Sequence, residues 1–69
     1  MDCKKKLGLT DRESQILCMI VEGKNNSEIA QNLHISYHTV KSDVTNILQK
    51  LAVDDRVQAA VKALREDLI

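Results

Sequence analysis

The chain has 69 residues, 43% of them hydrophobic, and its ten basic and ten acidic residues give a formal net charge of zero. This length fits one small domain, and the hydrophobic content excludes an intrinsically disordered chain. The sequence has no Pro, Trp or Phe and no apolar run long enough to span a bilayer. This composition favours a compact all-α fold. The charged N-terminus is not a signal peptide, so we expect a cytoplasmic protein with no membrane partner.

Residues 1–8 are interpreted as a flexible basic leader or a linker remnant, and the domain is predicted over residues 9–69. Thr10 and Glu13 have the spacing of a capping box, in which two side chains satisfy backbone N–H groups at a helix start. A first helix is therefore predicted over residues 11–22. Its core face consists of four apolar residues at helical spacing, namely Ile16, Leu17, Ile20 and Val21.

A second capping pair, Asn25 and Glu28, opens a short helix that is predicted to end near Leu33. Ala30 is small, which suits a position where the next helix crosses closely. The chain then bends at His34, where we expect a left-handed backbone. Histidine tolerates that conformation better than most residues other than glycine.

Ser36 is predicted to cap a third helix, which extends over residues 37–51. Its apolar stripe, at helical spacing, consists of Val40, Val44, Ile47, Leu48 and Leu51. Its opposite face is polar and carries His38, Ser42, Thr45, Asn46 and Gln49. Taken alone, such a face is more often a solvated surface than a binding site; the turn and the flanking pattern favour a binding surface.

Asp55 and Gln58 form a third capping pair at the start of a fourth helix. The main apolar stripe of this helix consists of Val57, Ala60, Val61, Leu64 and Leu68. A second strip consists of the small residues Ala59 and Ala63. One face must cover the core, and the other is available to a partner chain, because small residues let two helices approach closely. We expect dimer contacts at the second strip, although good helix propensity alone would also explain its alanines.

The segment over about residues 26–45 has the pattern of a DNA-binding helix-turn-helix, with two helices joined by a tight turn. With its neighbours at the right spacings, the chain over about residues 7–66 resembles the DNA-binding domain of the LuxR/NarL (LuxR/FixJ) family of bacterial transcription regulators. The resemblance implies a four-helix domain that places the helix at about 37–51 in the major groove of double-stranded DNA. It also implies a sequence-specific transcription regulator, either the effector domain of a two-component response regulator or a stand-alone member.

The resemblance further implies which residues contact DNA. Base contacts are expected from Lys41, Ser42 and Thr45. Phosphate contacts are expected from Asn25, Asn26, Ser36, His38, Thr39, Asn46 and Lys50. The expected partners are DNA, a second copy of the chain in a dimer that is weak off DNA, and RNA polymerase.

Two residues depart from the family pattern. Many members carry Lys where this chain has His38, and His or Asn where it has Asp43. Near DNA, Asp43 would either accept from a cytosine amine or lower the affinity through charge repulsion. Together with the net charge of zero, Asp43 motivates an alternative function, a helical protein-interaction module of the same fold with little DNA affinity.

No enzyme is expected from this sequence. It suggests no paired nucleophile and base and contains no glycine-rich phosphate loop, and no cofactor is implied. Two cysteines, Cys3 and Cys18, and two histidines, His34 and His38, do not supply the usual paired ligands of a zinc site.

Overall fold

The computed structural model describes residues 8–65, which form four α-helices joined by short loops. The helices are α1 (Asp11–Val21), α2 (Asn26–Leu33), α3 (Tyr37–Leu51) and α4 (Arg56–Arg65). The predicted all-α four-helix fold is therefore confirmed. The predicted leader other than Gly8, and residues 66–69 with Leu68, lie outside the described residues. No helix within residues 8–65 is long and apolar enough to cross a membrane.

The helices begin at the predicted caps. The Thr10 hydroxyl accepts from the Glu13 N–H at 3.1 Å, and the Glu13 carboxylate accepts from the Thr10 N–H at 2.9 Å. Asn25 and Glu28 make the same reciprocal pair at the start of α2, at 2.8 and 2.9 Å. These local bonds satisfy N–H groups that would otherwise lack a helical partner, which is why the predicted starts are correct.

The ends of the first three helices share one geometry. Each is followed by a residue with positive φ, namely Gly23 at 88°, His34 at 57° and Ala52 at 57°. The N–H of this residue and the next N–H donate to carbonyls of the preceding turn, as in a Schellman motif. The left-handed backbone predicted at His34 is confirmed. The one at Ala52 was not predicted, because alanine rarely adopts it.

The third helix is the centre of the domain, since it packs against α1, α2 and α4. The crossing residue Ala30 is buried, as predicted. The core brings together apolar residues from all four helices and from the segment before α1, namely Leu9, Ile16, Leu17, Ile20, Ile29, Ala30, Val40, Ile47, Leu51, Ala59 and Ala63.

The two faces of α4 are the reverse of the prediction. Ala59 and Ala63 are fully buried, so the dimer contacts expected at these side chains are wrong. Val57, Val61 and Leu64 are instead 68%, 47% and 62% exposed. The reason is the close packing of α4 against α1 and α3, since small side chains let helix backbones approach.

Candidate nucleic-acid interface

The outer face of α3 presents a row of polar side chains to solvent. Lys41, Ser42 and Thr45, predicted to contact bases, are all exposed there, whereas Val40 and Ile47 on the opposite side are fully buried. The helix is therefore held by its apolar stripe, and its polar face remains free for a ligand. An α-helix presented in this way fits the major groove of B-DNA.

The hydroxyl of Thr45 is already engaged within its helix. Its Oγ1 donates to the carbonyl oxygen of Lys41 at 3.1 Å, so its proton is used and its lone pairs are left to accept. The bond also restricts the side-chain rotamer. Thr45 is thus suited to accept from a base amine or to contact an apolar base edge, and less suited to donate.

Polar groups also converge at the start of α3. The Ser36 hydroxyl accepts from the Thr39 N–H at 3.0 Å, and the Ser36 and Thr39 hydroxyls lie 2.8 Å apart. His38 is exposed beside them, as is Tyr37, the only aromatic residue of the chain. A helix N-terminus favours anions through its free N–H groups and its dipole. Tyr37 was not among the predicted contacts; its exposed side chain lies at the same helix start as Ser36 and His38.

The start of α2 supplies a second group of backbone N–H donors. Its capping box satisfies the N–H of Asn25 and of Glu28, whereas the N–H groups of Asn26 and Ser27 have no partner within the helix. The Asn26 side chain accepts from Arg56 at 2.9 Å. Asn25 and Asn26 therefore lie at a helix end that is suited to bind an anion.

Lys50, a predicted phosphate contact, already makes hydrogen bonds within the domain in the absence of DNA. Its Nζ donates to Glu13 Oε1 at 2.7 Å and to the Gly8 carbonyl at 3.2 Å. Burial alone would raise the pKa of Glu13, but hydrogen bonds from Lys50 and Thr10 and the Lys50 charge outweigh it, so the pKa is lowered. Two of the three ammonium N–H groups are thereby used, which leaves one for a phosphate.

Asp43 does not lie on the outer face of α3. Its carboxylate is buried against α1, where Arg12 Nη2 donates to Oδ1 at 3.2 Å and Nε makes a close charge contact with Oδ2 at 2.6 Å. Asp43 is therefore not placed to contact a base in this arrangement, and its charge is paired with Arg12. Sequence reasoning missed Arg12 because the pair is separated by 31 residues.

Most of the predicted contact residues thus lie in two regions, the outer face of α3 with its start, and the start of α2. Five exposed side chains share the outer side of α3, namely His38, Lys41, Ser42, Thr45 and Asn46. Ser36 and Thr39 adjoin them at the helix start, and Asn25 and Asn26 begin the helix packed against α3. Among residues 8–65, no three His, Cys, Asp or Glu side chains are grouped to hold a metal ion.

The sequence matches known regulators over most of its length. Residues 7–63 match the family described as bacterial regulatory proteins, luxR family. Over 61 residues, 88% of the chain, the identity is 57% to the transcriptional regulatory protein LiaR of Bacillus subtilis. The identity is 51% over the same length to the response regulator protein VraR of Staphylococcus aureus. The chain spans 29% of the length of each of these two proteins.

Two solved structures have the same fold. The transcription factor GerE superposes with a TM-score of 0.81 and 36% identity, covering 91% of this chain and 92% of GerE. The response regulator ChrA of a heme-sensing two-component system gives a TM-score of 0.85 and 38% identity, covering 96% of this chain and 33% of ChrA. The fold therefore occurs both as nearly all of one chain and as a third of another.

Proposed function

The chain belongs to the luxR family of bacterial regulatory proteins, and we propose that it reads specific double-stranded DNA through α3, in the major groove, as a transcription regulator. The observation that carries this proposal is the division of α3 into a fully buried apolar stripe and an exposed polar face. The exposed face contains the three side chains that match the base-contacting positions of the family, Lys41, Ser42 and Thr45.

Each of these side chains has a defined chemistry toward base edges. Lys41 donates to the acceptors of a guanine or to a phosphate, and Ser42 donates or accepts through its hydroxyl. Thr45 accepts from a base amine through its hydroxyl oxygen or contacts a thymine methyl through its own methyl group, since its hydroxyl proton is held by the Lys41 carbonyl. These contacts determine the sequence that is bound.

Phosphate contacts position the domain on the duplex. They come from the N-termini of α2 and α3 and from nearby exposed side chains. The proposed residues are Asn25, Asn26, Ser36, His38, Thr39 and Asn46, with Tyr37 as an addition. Lys50 is the least suited of the predicted set, because its ammonium is held by Glu13.

We propose that the regulator binds as a homodimer through α4. Within residues 8–65, Arg12 and Lys50 are paired with carboxylates, and the formal net charge of the chain is zero, so the attraction of one copy to the phosphates is weak. The corrected contact face is the exposed apolar strip of Val57, Val61 and Leu64. This strip is short, so the dimer is weak in solution and forms mainly on adjacent half-sites, where the two binding energies nearly add.

The chain corresponds in extent to part of the longer regulators. VraR and ChrA are response regulators, and the chain spans 29% and 33% of them, respectively. We propose that it is the DNA-binding effector part of such a regulator, with a GerE-like stand-alone chain as the alternative. Chromosomal DNA as the ligand places its action in the cytoplasm, and RNA polymerase is a further proposed partner.

DNA selection tests the proposal. The protein is used to select duplexes from a random-sequence pool, and the affinity for the winning sequence is measured by fluorescence anisotropy at low salt. Lys41→Ala should weaken specific binding by about 1–3 kcal/mol, or roughly 5- to 150-fold, with an unchanged circular dichroism spectrum. Arg65→Ala is the control, because it removes one exposed positive charge outside α3.

Failure to enrich any sequence at low salt would favour the alternative, a protein-interaction module with little DNA affinity. Equal losses in the Lys41 and Arg65 variants would refute the role of α3. For the dimer, Val61→Glu should weaken binding to a two-half-site duplex far more than binding to a single half-site. Equal weakening on both duplexes would exclude this face of α4.

A further inference from the structure

Arg56 joins α4 to the start of α2. It is the first residue of α4, and its guanidinium is partly buried. Nη1 donates to Asn26 Oδ1 at 2.9 Å, and Nη2 donates to the Lys24 carbonyl at 2.7 Å. One side chain thus fixes both the first residue of α2 and the loop that leads into it.

The bond from Arg56 determines which end of the Asn26 amide is available. An asparagine side chain has one acceptor oxygen and one NH2 donor group, whereas a guanidinium has donors only. Asn26 must therefore turn its oxygen toward Arg56, which leaves the NH2 group for another partner. A phosphate is such a partner, because its oxygens only accept hydrogen bonds from the protein.

The second bond fixes the backbone at the same place. The Lys24 carbonyl precedes Asn25, the N-cap of α2, by one residue. Anchoring this carbonyl to α4 restrains the loop and with it the direction of the unpaired N–H groups of Asn26 and Ser27. Hydrogen bonds from an arginine fork restrain geometry more tightly than those of a flexible lysine.

We propose that Arg56 is a positioning residue for DNA binding, which aims the Asn26 amide and the N-terminus of α2 at a backbone phosphate. This inference rests on the proposed DNA-binding function and adds a residue that lies outside the helix-turn-helix segment. Because Arg56 begins the helix proposed to form the dimer contact, it also links that helix to a phosphate-binding end.

The test separates positioning from the charge of Arg56. Arg56→Met, Asn26→Ala and the double variant are compared with the unaltered chain on an unrelated duplex, by anisotropy across a salt series. Each single variant should weaken binding about 3- to 10-fold, the loss of one hydrogen-bonded contact. The fold-loss in the double variant should be smaller than the product of the two single fold-losses, because Arg56 acts in part through Asn26 and in part through the Lys24 carbonyl; a full product would contradict the shared route. Arg65→Met is the control for the lost charge on α4.

The salt dependence is the readout that a purely structural role would not produce. A cation bound to phosphate contributes about 0.9 to the slope of log affinity against log salt. Positioning predicts weaker binding by Arg56→Met with an unchanged slope, and Arg56→Lys should not restore the affinity. A slope reduced by about 0.9, or full rescue by lysine, would overturn the proposal in favour of direct charge contact.

Stability is measured in parallel by thermal unfolding, and binding is measured below the transition of every variant. If Arg56→Met does not fold, Arg56→Lys replaces it in the double-variant comparison. Lower stability with unchanged affinity would overturn the positioning role and leave the proposed function intact. Absence of DNA binding by the unaltered chain would overturn both.

Discussion

Arg12 of α1 and Asp43 of α3 form a partly buried charge pair. Removing one or the other should lower the free energy of unfolding by different amounts. The side chain of Asp43 is 8% exposed and that of Arg12 is 50% exposed. Arg12→Ala leaves a buried carboxylate without its partner, whereas Asp43→Ala leaves a guanidinium that is already half in water. We therefore expect Arg12→Ala to be the more destabilising substitution.

The size of each expected stability loss follows from the exposed fractions of the two side chains. Breaking a fully buried pair costs about 3–5 kcal/mol. Loss of the half-exposed Arg12 side chain also admits water to Asp43, so we expect about 2–3 kcal/mol for Arg12→Ala. For Asp43→Ala we expect about 1 kcal/mol, because the guanidinium keeps most of its hydration. A domain of this size has a total stability of only about 3–10 kcal/mol, so both losses are measurable.

Urea denaturation followed by circular dichroism measures both variants and the double variant. The double variant should be more stable than Arg12→Ala alone, since it removes the unpaired carboxylate. Equal losses in the two single variants, or a double variant that is the least stable of the three, would refute this account of the pair.

Three further predictions concern stability. Glu13→Gln should lower the free energy of unfolding at neutral pH, because the lowered pKa of Glu13 means that the folded domain stabilises the ionised carboxylate. The difference between variant and unaltered chain should close as the pH falls below 4.5, the ordinary pKa, where Glu13 becomes protonated. A pH-independent difference in urea titrations would contradict this. Ala52→Gly should raise stability by about 0.5–1 kcal/mol, since relief of the left-handed backbone exceeds the added chain entropy, while Ala60→Gly within α4 should lower it in the same thermal assay. Ala63→Glu should unfold the domain by burying a charge, whereas Val61→Glu on the exposed face should keep the native circular dichroism spectrum. Similar spectra for the two variants would contradict the assignment of the buried and exposed faces of α4.

Local chemistry made the helix starts predictable. Thr10 with Glu13, and Asn25 with Glu28, close their hydrogen bonds within three residues, so all the atoms involved are sequence neighbours. The turn at His34 was predictable for the same reason, since it depends on the conformational preference of one residue. The apolar stripe of α3 was equally predictable, because it repeats at the helical period and that helix has no second apolar stripe.

The faces of α4 could not be assigned from periodicity. Two strips of this helix repeat at helical spacing, one of larger apolar residues and one of alanines. Hydrophobicity favours burial of the larger strip, but the backbone of α4 lies so close to its neighbours that only Ala59 and Ala63 fit there. That distance is a property of the packed helices, so only the tertiary structure selects the buried face.

The partners of the charged residues were decided in the same way. Asp43 meets Arg12 across 31 residues, Lys50 meets Glu13 across 37, and Arg56 reaches Asn26 across 30. No local spacing selects one of ten basic residues for a given carboxylate or amide. The family pattern located the polar face of α3, and packing of the helices then decided which of its charges remain available to DNA.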